Sequence, residues 1–524
     1  MADLAVHFNI GHADAPKPIP YIKADHKLVE KIKPIILKKA KGRKIIGLSW
    51  YSKGNHAKLR SFNLEHFKAI RRREDLCFIN LQYSADNTDD SRLFKHLFPK
   101  ITLLQPAKIL NQDVNFFDDI EMHAAFIEAC DAILTITNFT CSLAGTMGKK
   151  MVLMASPLNN FRIGEIVSEK GCWFSNVKKI RYQWNQPREE VVTQAFDLLD
   201  QHLNLTKPAK LEKKTKKQPP KPISAPKTSP WIEPFIDDLK HIEFSDEHLK
   251  FLNQMMVQYN ATQNVKDDQT NTMPLGPYDQ WVYALAVLGD HANKMIPDPI
   301  QDALIDCCRQ ILKIRSDIAE PWQWMSGTLL RFDQPHECEN ILRNACKKFP
   351  NDAELKSNLA VCLTDLHQFK EADKLFFETL KLSKNHYNYR FNYAWFLLKT
   401  GRFKEAWPLL EARLETDQFK RFIRPFDIPR WQGQSLKDKI IFISAEQGLG
   451  EQIMFARLAD RLSDQAKHVY ISCKPKLEPL MQRSLKATTA IGAFTKEHLF
   501  CKQVKADYYL EMGSMPLQCR LFEN

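Results

Sequence analysis

The chain has 524 residues, of which 44% are hydrophobic and 26% charged, and its net charge is +13. This length predicts about two to four domains, and the composition is that of globular domains that each bury a core. No segment approaches 18 consecutive apolar residues and no apolar leader follows Met1, so we expect no membrane span, no secretory signal and a cytoplasmic location. The twelve cysteines form no Cys-x-x-Cys pair, which argues against zinc and suits a reducing compartment.

Residues 1–205 alternate short apolar runs with helical stretches. Strands are predicted at 44–50, 76–81, 132–137 and 151–155, and helices at 64–73, at 121–130 and from Thr140 onward. Strands separated by helices in this way predict a parallel sheet that is covered on both faces. Ligands of such sheets bind at the carboxyl ends of the strands.

Between Lys207 and Pro230 lie eight lysines, one glutamate and six prolines, and no aromatic residue. Such a stretch cannot bury a core, so we predict an extended linker at 206–230. It accounts for about half of the net charge, and no arginine-rich or aromatic-interleaved patch accompanies it. We therefore expect a solvated linker and no nucleic-acid partner, with nonspecific polyanion contact as the alternative.

The middle of the chain repeats with a period of 34 residues from Ala319, Ala353 and Tyr387. Small residues recur at one offset and large apolar residues at another: Cys338, Ala372 and Ala406, then Leu342, Phe376 and Leu410. The pattern resembles the tetratricopeptide repeat, a helical hairpin that stacks into a solenoid and binds protein partners. We assign three repeats to 319–420 and predict a helical region with degenerate repeats at 231–318.

The remainder, 431–524, reads as a second α/β domain. Strands are predicted at 439–444, 468–472 and 508–511, and helices at 451–462 and 476–484. Between the first strand and its helix lies a glycine segment, Gln447, Gly448 and Gly450, which would let backbone N–H groups approach a ligand. Glu446 and Glu451 flank it, and either carboxylate could accept a proton from a hydroxyl. The alternative is an ordinary tight turn between strand and helix.

Two further groups of polar residues follow predicted strands of the N-terminal domain. Ser52, Lys58 and Arg60 lie in a loop whose hydroxyl and basic groups suit a diphosphate, although a solvated surface loop would look similar. The second group lies where a strand passes into a helix, and helix capping is its alternative role. It comprises Asn138, Thr140, Ser142 and Gly145.

Two sets of motifs, taken together, resemble bacterial tetratricopeptide proteins fused to a GT-B glycosyltransferase. Those fusions are related to the heptosyltransferases and, more distantly, to the O-linked N-acetylglucosamine transferases. The motifs of the first GT-B half are Trp431–Gly433 and Ala445–Arg457, and those of the second half are Ile46–Ser52, Arg60-Ser61, Asn80–Tyr83 and Leu143–Lys149. The expected fold is therefore α/β plus all-α, with two Rossmann-like GT-B halves flanking the tetratricopeptide solenoid. The second, donor-binding half (1–205) precedes the first, acceptor-side half (431–524), which is the reverse of the usual order.

The resemblance implies transfer of a sugar from a nucleotide sugar to a protein or glycan hydroxyl, without a metal or other cofactor. The donor diphosphate would lie near Ser52, Lys58, Arg60 and the helix that begins at Asn138. Glu451, or else Glu446, would be the base. Glu451 replaces the aspartate of heptosyltransferases, and Ser142 replaces a histidine that usually precedes Leu-Ala-Gly. The alternative function is a non-catalytic tetratricopeptide scaffold with degenerate glycosyltransferase halves.

Overall fold

In the computed structural model, the described residues form two compact units. Those up to Leu205 together with those from Asn385 onward form one unit, and those between 305 and 384 form the other. The predicted linker 206–230, most of the region 231–318, Lys58 and Gln447 lie outside the described residues. The described residues are 19–52, 60–82, 87–156, 174–183, 186–205, 305, 308–309, 312–313, 316–332, 334–420, 425–446, 448–494 and 496–519.

The N-terminal part of the first unit is built on a six-stranded parallel sheet. Its strands are β1 Lys44–Ser49, β2 Leu76–Asn80, β3 Thr102–Leu104, β4 Ala132–Ile136, β5 Met151–Ala155 and β6 Val177–Arg181. Their order in the sheet is β3-β2-β1-β4-β5-β6, so the order reverses between β1 and β4. The four predicted strands are confirmed. The pattern missed β3 and β6, which are half-buried edge strands without a continuous apolar run.

Helices cover this sheet. They are α1 His26–Ala40, α2 Asn87–Leu97, α3 Pro106–Leu110, α4 Ile120–Ala129, α5 Phe139–Thr146 and α6 Arg188–Leu203. The predicted helix at 64–73 is a 3-10 helix, Leu64–Arg72, which is interrupted at Phe67 by non-helical backbone angles. Its apolar side joins the core that lies under β1, β2 and β4.

The 34-residue period corresponds to helical hairpins. The second unit contains α7 Glu320–Arg331, α8 Pro335–Lys348, α9 Ala353–Asp365 and α10 Phe369–Leu382, in which successive helices pack together. The third hairpin belongs to the first unit and consists of α11 Tyr387–Lys399 and α12 Phe403–Leu410, followed by a 3-10 helix, Glu411–Glu415, and by α13 Asp417–Lys420. The small and large positions of the repeat are all buried, as the period predicted.

The C-terminal part of the first unit contains a second parallel sheet. Its strands are β7 Ile440–Ser444, β8 His468–Ser472, β9 Thr488–Ile491 and β10 Tyr508–Glu511, in the order β10-β7-β8-β9. The helices are α14 Leu449–Phe455, α15 Ala459–Ser463, α16 Glu478–Ser484, α17 Glu497–Gln503 and α18 Met515–Gln518, with 3-10 turns at Ala456–Leu458, Pro475–Leu477 and Met512–Ser514. The helix predicted at 451–462 corresponds to a continuous helical stretch, in which the 3-10 turn at Ala456–Leu458 separates α14 from α15.

The two sheet-containing parts of the first unit contact each other directly. Helix α5 packs on α14, and α4 packs on α16. The short segment before α1 bridges both parts, because the backbone N–H of Tyr21 donates to the Thr146 carbonyl at 3.0 Å and that of Lys23 donates to Ser484 Oγ at 3.0 Å. Arg483 adds ion pairs with Glu121 and, at 3.9 Å, with Asp25. Parts that are far apart in sequence therefore form one body.

In the described part of the chain, no helix combines the length and the apolarity needed to cross a bilayer.

Candidate functional site

The carboxyl ends of β1 and β4 are joined by a buried network of amides and hydroxyls. The Gln82 side-chain oxygen accepts hydrogen bonds from the backbone N–H groups of Trp50 and Tyr51 at 3.1 and 3.0 Å, and from Ser49 Oγ at 3.3 Å. Its amide nitrogen donates to the Tyr51 carbonyl at 2.9 Å. Asn138 Nδ2 donates to Ser49 Oγ at 2.8 Å and to the Tyr51 carbonyl at 3.3 Å. This network fixes the chain where it leaves β1 beside the start of α5.

Asn138 is also the N-cap of α5, because its side-chain oxygen accepts from the Cys141 backbone N–H at 3.1 Å. Thr140, in the first turn, is fully buried, and its hydroxyl lies 3.3 Å from His123 Nε2. The His123 ring stacks on Phe116, with ring centroids 4.6 Å apart. Burial lowers the pKa of His123 to about 3, so the ring is neutral beside this helix start.

The other predicted donor-side residues are also largely buried. The Ser52 backbone N–H donates to Ser61 Oγ at 3.0 Å, which holds the two sides of the loop together. Arg60 is 8% exposed and lies near Tyr182. Burial raises the pKa of Tyr182, although the positive charges of Arg188 and Arg60 act in the opposite direction. Lys58 lies outside the described residues.

Packing explains the glycine of α5. A Cβ atom at Gly145 would lie 2.4 Å from Cδ1 of Phe174, so this position needs glycine to let α5 approach the Phe174 ring. Ser142 lies one turn before Gly145 and is 5% exposed. Its side chain is uncharged, so it brings no charge to the start of the helix. Gly145 thus shapes the helix that borders the predicted donor site.

Ion pairs dominate the corresponding edge of the second sheet. Glu446, directly after β7, is 3% exposed and accepts from Arg413 through both oxygens, at 3.0 Å from Nε and at 2.8 Å from Nη2. The Gly513 backbone N–H donates to Glu446 Oε1 at 2.6 Å, and Arg413 Nη2 also donates to Ser514 Oγ at 2.8 Å. Both oxygens of Glu446 are therefore engaged by hydrogen bonds within the protein.

Further charges extend this network. Arg413 Nη1 lies 2.9 Å from Glu411, and Arg430 bridges Glu411 and Glu511 at 2.6 Å each. Burial raises the pKa of Glu411, but the guanidinium groups of Arg413 and Arg430 more than offset this effect, so the pKa lies below its ordinary value. Glu411 is therefore ionised at neutral pH, as a cation-bound carboxylate should be.

The glycine segment has a geometry that the sequence did not predict. Gly448 is the N-cap of α14, with φ −70° and ψ 172°, angles that any residue adopts. A Cβ atom there would lie 3.0 Å from Glu451 Oε2, so glycine makes room for the Glu451 carboxylate. Glu451 is 2% exposed, and Gly450 is buried within α14. Because α14 has seven residues, it offers only a short helix dipole to a ligand.

The structure brings most of the predicted residues to two neighbouring places. The Ser52, Asn138, Thr140 and Ser142 group surrounds the start of α5, and Gly448 and Glu451 lie at the start of α14, which packs on α5. Glu446 is turned into the ion network of Arg413.

Sequence reasoning did not single out Gln82, His123 or Arg413. Gln82 belongs to the motif Asn80–Tyr83, in which nothing marks it as the partner of the chain that leaves β1. His123 lies in α4 beside the charged residues Glu121 and Glu128, and no spacing in the sequence distinguishes it from them. Arg413 follows the last helical hairpin, and its partner Glu446 lies 33 residues further along the chain, so no local signal connects them.

A cavity of about 340 Å³ lies at the contact between the two sheet-containing parts. Four carboxylates and one lysine are among its lining residues, which are Asp113, Val114, Asn115, Asp118, Asp119, Ile120, Glu121 and Lys476. Its negative charge does not suit a diphosphate.

No family model matches the chain. It is 32% identical over 103 residues to protein FlbA of Caulobacter vibrioides, and the match covers 18% of this chain and 16% of FlbA. Among solved structures, MamA of Desulfovibrio magneticus RS-1 is 14% identical, with 36% of this chain and 94% of that chain covered and a TM-score of 0.24. A thermophilic TPR protein of Thermus thermophilus is 13% identical, with 33% and 91% covered and a TM-score of 0.25. The chain thus spans less than a fifth of the length of FlbA.

Proposed function

We propose that the chain is a GT-B glycosyltransferase whose two halves are the sheet-containing parts of the first unit, in reversed order along the chain. One observation carries this proposal, the packing of α5 against α14. Helix α5 follows β4 of the first sheet and α14 follows β7 of the second. The family resemblance puts the donor diphosphate at the first helix and the acceptor at the second, and their contact supports a single shared site.

The strand order of the first sheet supports binding of the donor there. The order 3-2-1-4-5-6 is that of doubly wound nucleotide-binding domains, whose ligands bind at the carboxyl edge where the order reverses. In this chain the reversal lies between β1 and β4, beside Ser52 and Asn138. Their neutral hydrogen-bonding groups, with the basic residues Lys58 and Arg60 a few positions after Ser52 in the sequence, would hold the diphosphate.

Glu451 is the better candidate for the base. It would accept the proton of the acceptor hydroxyl as that oxygen bonds to the anomeric carbon, while the nucleoside diphosphate leaves with the electron pair of the broken C–O bond. Glu446 is the weaker candidate because Arg413 engages both of its oxygens. The helical hairpins α7–α12 would recruit the protein or glycan acceptor.

Incubation of the full chain with a panel of radiolabelled nucleotide sugars tests the activity. We expect hydrolysis of at least one donor by the wild type and its loss in Glu451→Gln, with donor affinity retained. Glu497→Gln is the matched control, because Glu497 is a fully buried carboxylate of the same half that binds Ser472 Oγ at 3.1 Å. Absence of both binding and hydrolysis for every donor would reject the proposal.

A non-catalytic scaffold is the second candidate, and the pairing of Glu446 with Arg413 favours it, together with the uncharged Ser142 at the donor helix. Under this hypothesis the hairpins bind protein and the two sheets are structural. A peptide pull-down that requires residues 319–420 but not Glu451, in a chain without donor binding, would support it.

A further inference from the structure

We propose that Arg413 is a positioning residue, which ties the hairpin α11–α12 to the loop that carries Glu446 and the glycine segment. Its effect on turnover rests on the proposed function, whereas the coupling itself rests on contacts within the first unit. The last helical hairpin is thereby connected directly to the proposed catalytic loop.

Arg413 lies in the 3-10 helix that directly follows α12, so the end of the hairpin fixes its backbone. Its side chain is 1% exposed and reaches across to Glu446, with two parallel hydrogen bonds of 3.0 and 2.8 Å. A bidentate guanidinium–carboxylate pair fixes orientation as well as distance. Movement of the hairpin is thereby transmitted to the loop after β7.

The same guanidinium fills the point where a parallel sheet commonly binds a ligand. The strand order reverses between β10 and β7, whose last residues Glu511 and Ser444 lie side by side. Beyond them, a Cβ atom on Gly513 would lie 3.0 Å from Arg413 Nη2 and 2.7 Å from Glu446 Oε1. The crevice is therefore closed by the protein itself, and the loop after β7 is held in one arrangement.

Glu446 and Glu451 lie at the two ends of the glycine segment. A displacement of Glu446 changes the path of the chain that enters α14, and so the place of Glu451. Lysine at position 413 would keep the charge but form no paired hydrogen bonds. We therefore predict that Arg413→Lys disturbs the loop after β7 less than Arg413→Met does.

Hydrogen–deuterium exchange on the full chain tests the coupling. In Arg413→Met we expect exchange to be faster by about a hundredfold or more in the segments 445–451 and 511–515, with β8 unchanged, and a smaller increase in Arg413→Lys. Arg402→Met is the matched control, because Arg402 lies in the same hairpin and pairs with Glu405 instead. If a donor is turned over, Arg413→Lys should lower kcat about tenfold and leave KM for the donor within about twofold.

Unchanged exchange at 445–451 in both Arg413 variants would overturn the proposal, as would an equal increase across β7, β8 and α16, which would mean general destabilisation. If Arg413→Met does not fold, Arg413→Lys decides by the same criteria. Local exchange that increases in a chain without turnover would leave the coupling in place and reject the glycosyltransferase.

Discussion

The carboxyl edges of the two sheets in the first unit are built from different chemistry. At the first edge, Gln82 and Asn138 hold the chain through neutral amides, at distances of 2.8 to 3.3 Å. At the second edge, Arg413 and Arg430 bind three buried or half-buried glutamates. Both edges occupy the place where a parallel sheet binds ligands.

This difference separates an adaptable edge from a fixed one. Exchanging one neutral hydrogen bond for another, with a ligand as the new partner, costs little, since each is worth about 1 kcal/mol net. Pulling a carboxylate away from a buried guanidinium leaves an uncompensated charge and costs several times more. We therefore expect the donor to bind at the first edge, whereas the ion pairs at the second edge hold in place the loop that leads to Glu451.

The largest effect should come from breaking the charged edge. Arg413→Met leaves Glu446 buried without its cation, and we expect it to lower the free energy of local opening at 445–451 and 511–515 by about 3–5 kcal/mol, while β8 keeps its protection. Hydrogen exchange in these segments, compared with that in β8, measures it. The double variant Arg413→Met/Glu446→Gln should recover part of the loss. A single variant within about 0.5 kcal/mol of the wild type would contradict the comparison.

The next largest effect should be the pH dependence of stability that His123 causes beside the first edge. His123 has a pKa of about 3 in the folded chain and about 6.5 when unfolded, so the unfolded state binds the extra proton below pH 6.5. Its contribution to stability is complete above pH 6.5 and is lost as the pH falls, by about 2 kcal/mol between pH 7 and pH 5.

Phenylalanine at this position keeps the stacking on Phe116 and cannot take up a proton. Thermal unfolding of His123→Phe at the two pH values should show a smaller pH dependence than that of the wild type, by the amount given above. Equal pH dependence in the two proteins would mean that His123 is charged or exposed.

A smaller loss is expected at the neutral edge. Asn138→Ala removes the cap of α5 and the bond to Ser49, and should cost about 1–2 kcal/mol. Asn138→Asp, which can still cap the helix but places a negative charge there, should retain much of the stability and weaken nucleotide-sugar binding. Thermal unfolding measures the change in stability, and calorimetric titration measures the donor affinity. If both variants bind the donor as tightly as the wild type does, Asn138 is not part of the donor site.

The contact between the two sheet-containing parts should give the smallest change. Arg483→Met removes the pair with Glu121, in which the side chains are 29% and 19% exposed, so we expect at most about 1 kcal/mol. The loss should shrink at high salt. Exchange protection of α4 and α16 is the readout, and a variant that leaves both unchanged would show that the pair contributes nothing to the contact.

Strand periodicity predicted the centres of both sheets because these strands are buried on both faces. It missed the edge strands β3 and β6, whose residues are half-buried, and β9, whose Thr488-Thr489 start breaks the apolar run. The 34-residue period identified the hairpins because the small and large positions are set by close helix packing. In all three regions, burial produced the signal.

The candidate site was predicted only where local rules apply. The N-cap role of Asn138 follows from its place before a helix, and the structure confirms that hydrogen bond. The glycine segment is predicted to bring backbone N–H groups close to a ligand; in the structure, Gly448 has ordinary backbone angles and its small size makes room for the Glu451 carboxylate. The Arg413–Glu446 pair depends on tertiary contacts, which no spacing in the sequence reveals.

The bond between Lys23 and Ser484 joins residues 461 positions apart. Ribosomes add about 5–20 residues per second, so the partner of the N-terminal sheet emerges about 20–90 seconds after Lys23. During that interval the faces of α4 and α5 that contact α16 and α14 have no cover. Contacts of such long sequence separation also form slowly. We therefore expect the chain to need chaperones that shield this exposed surface during synthesis.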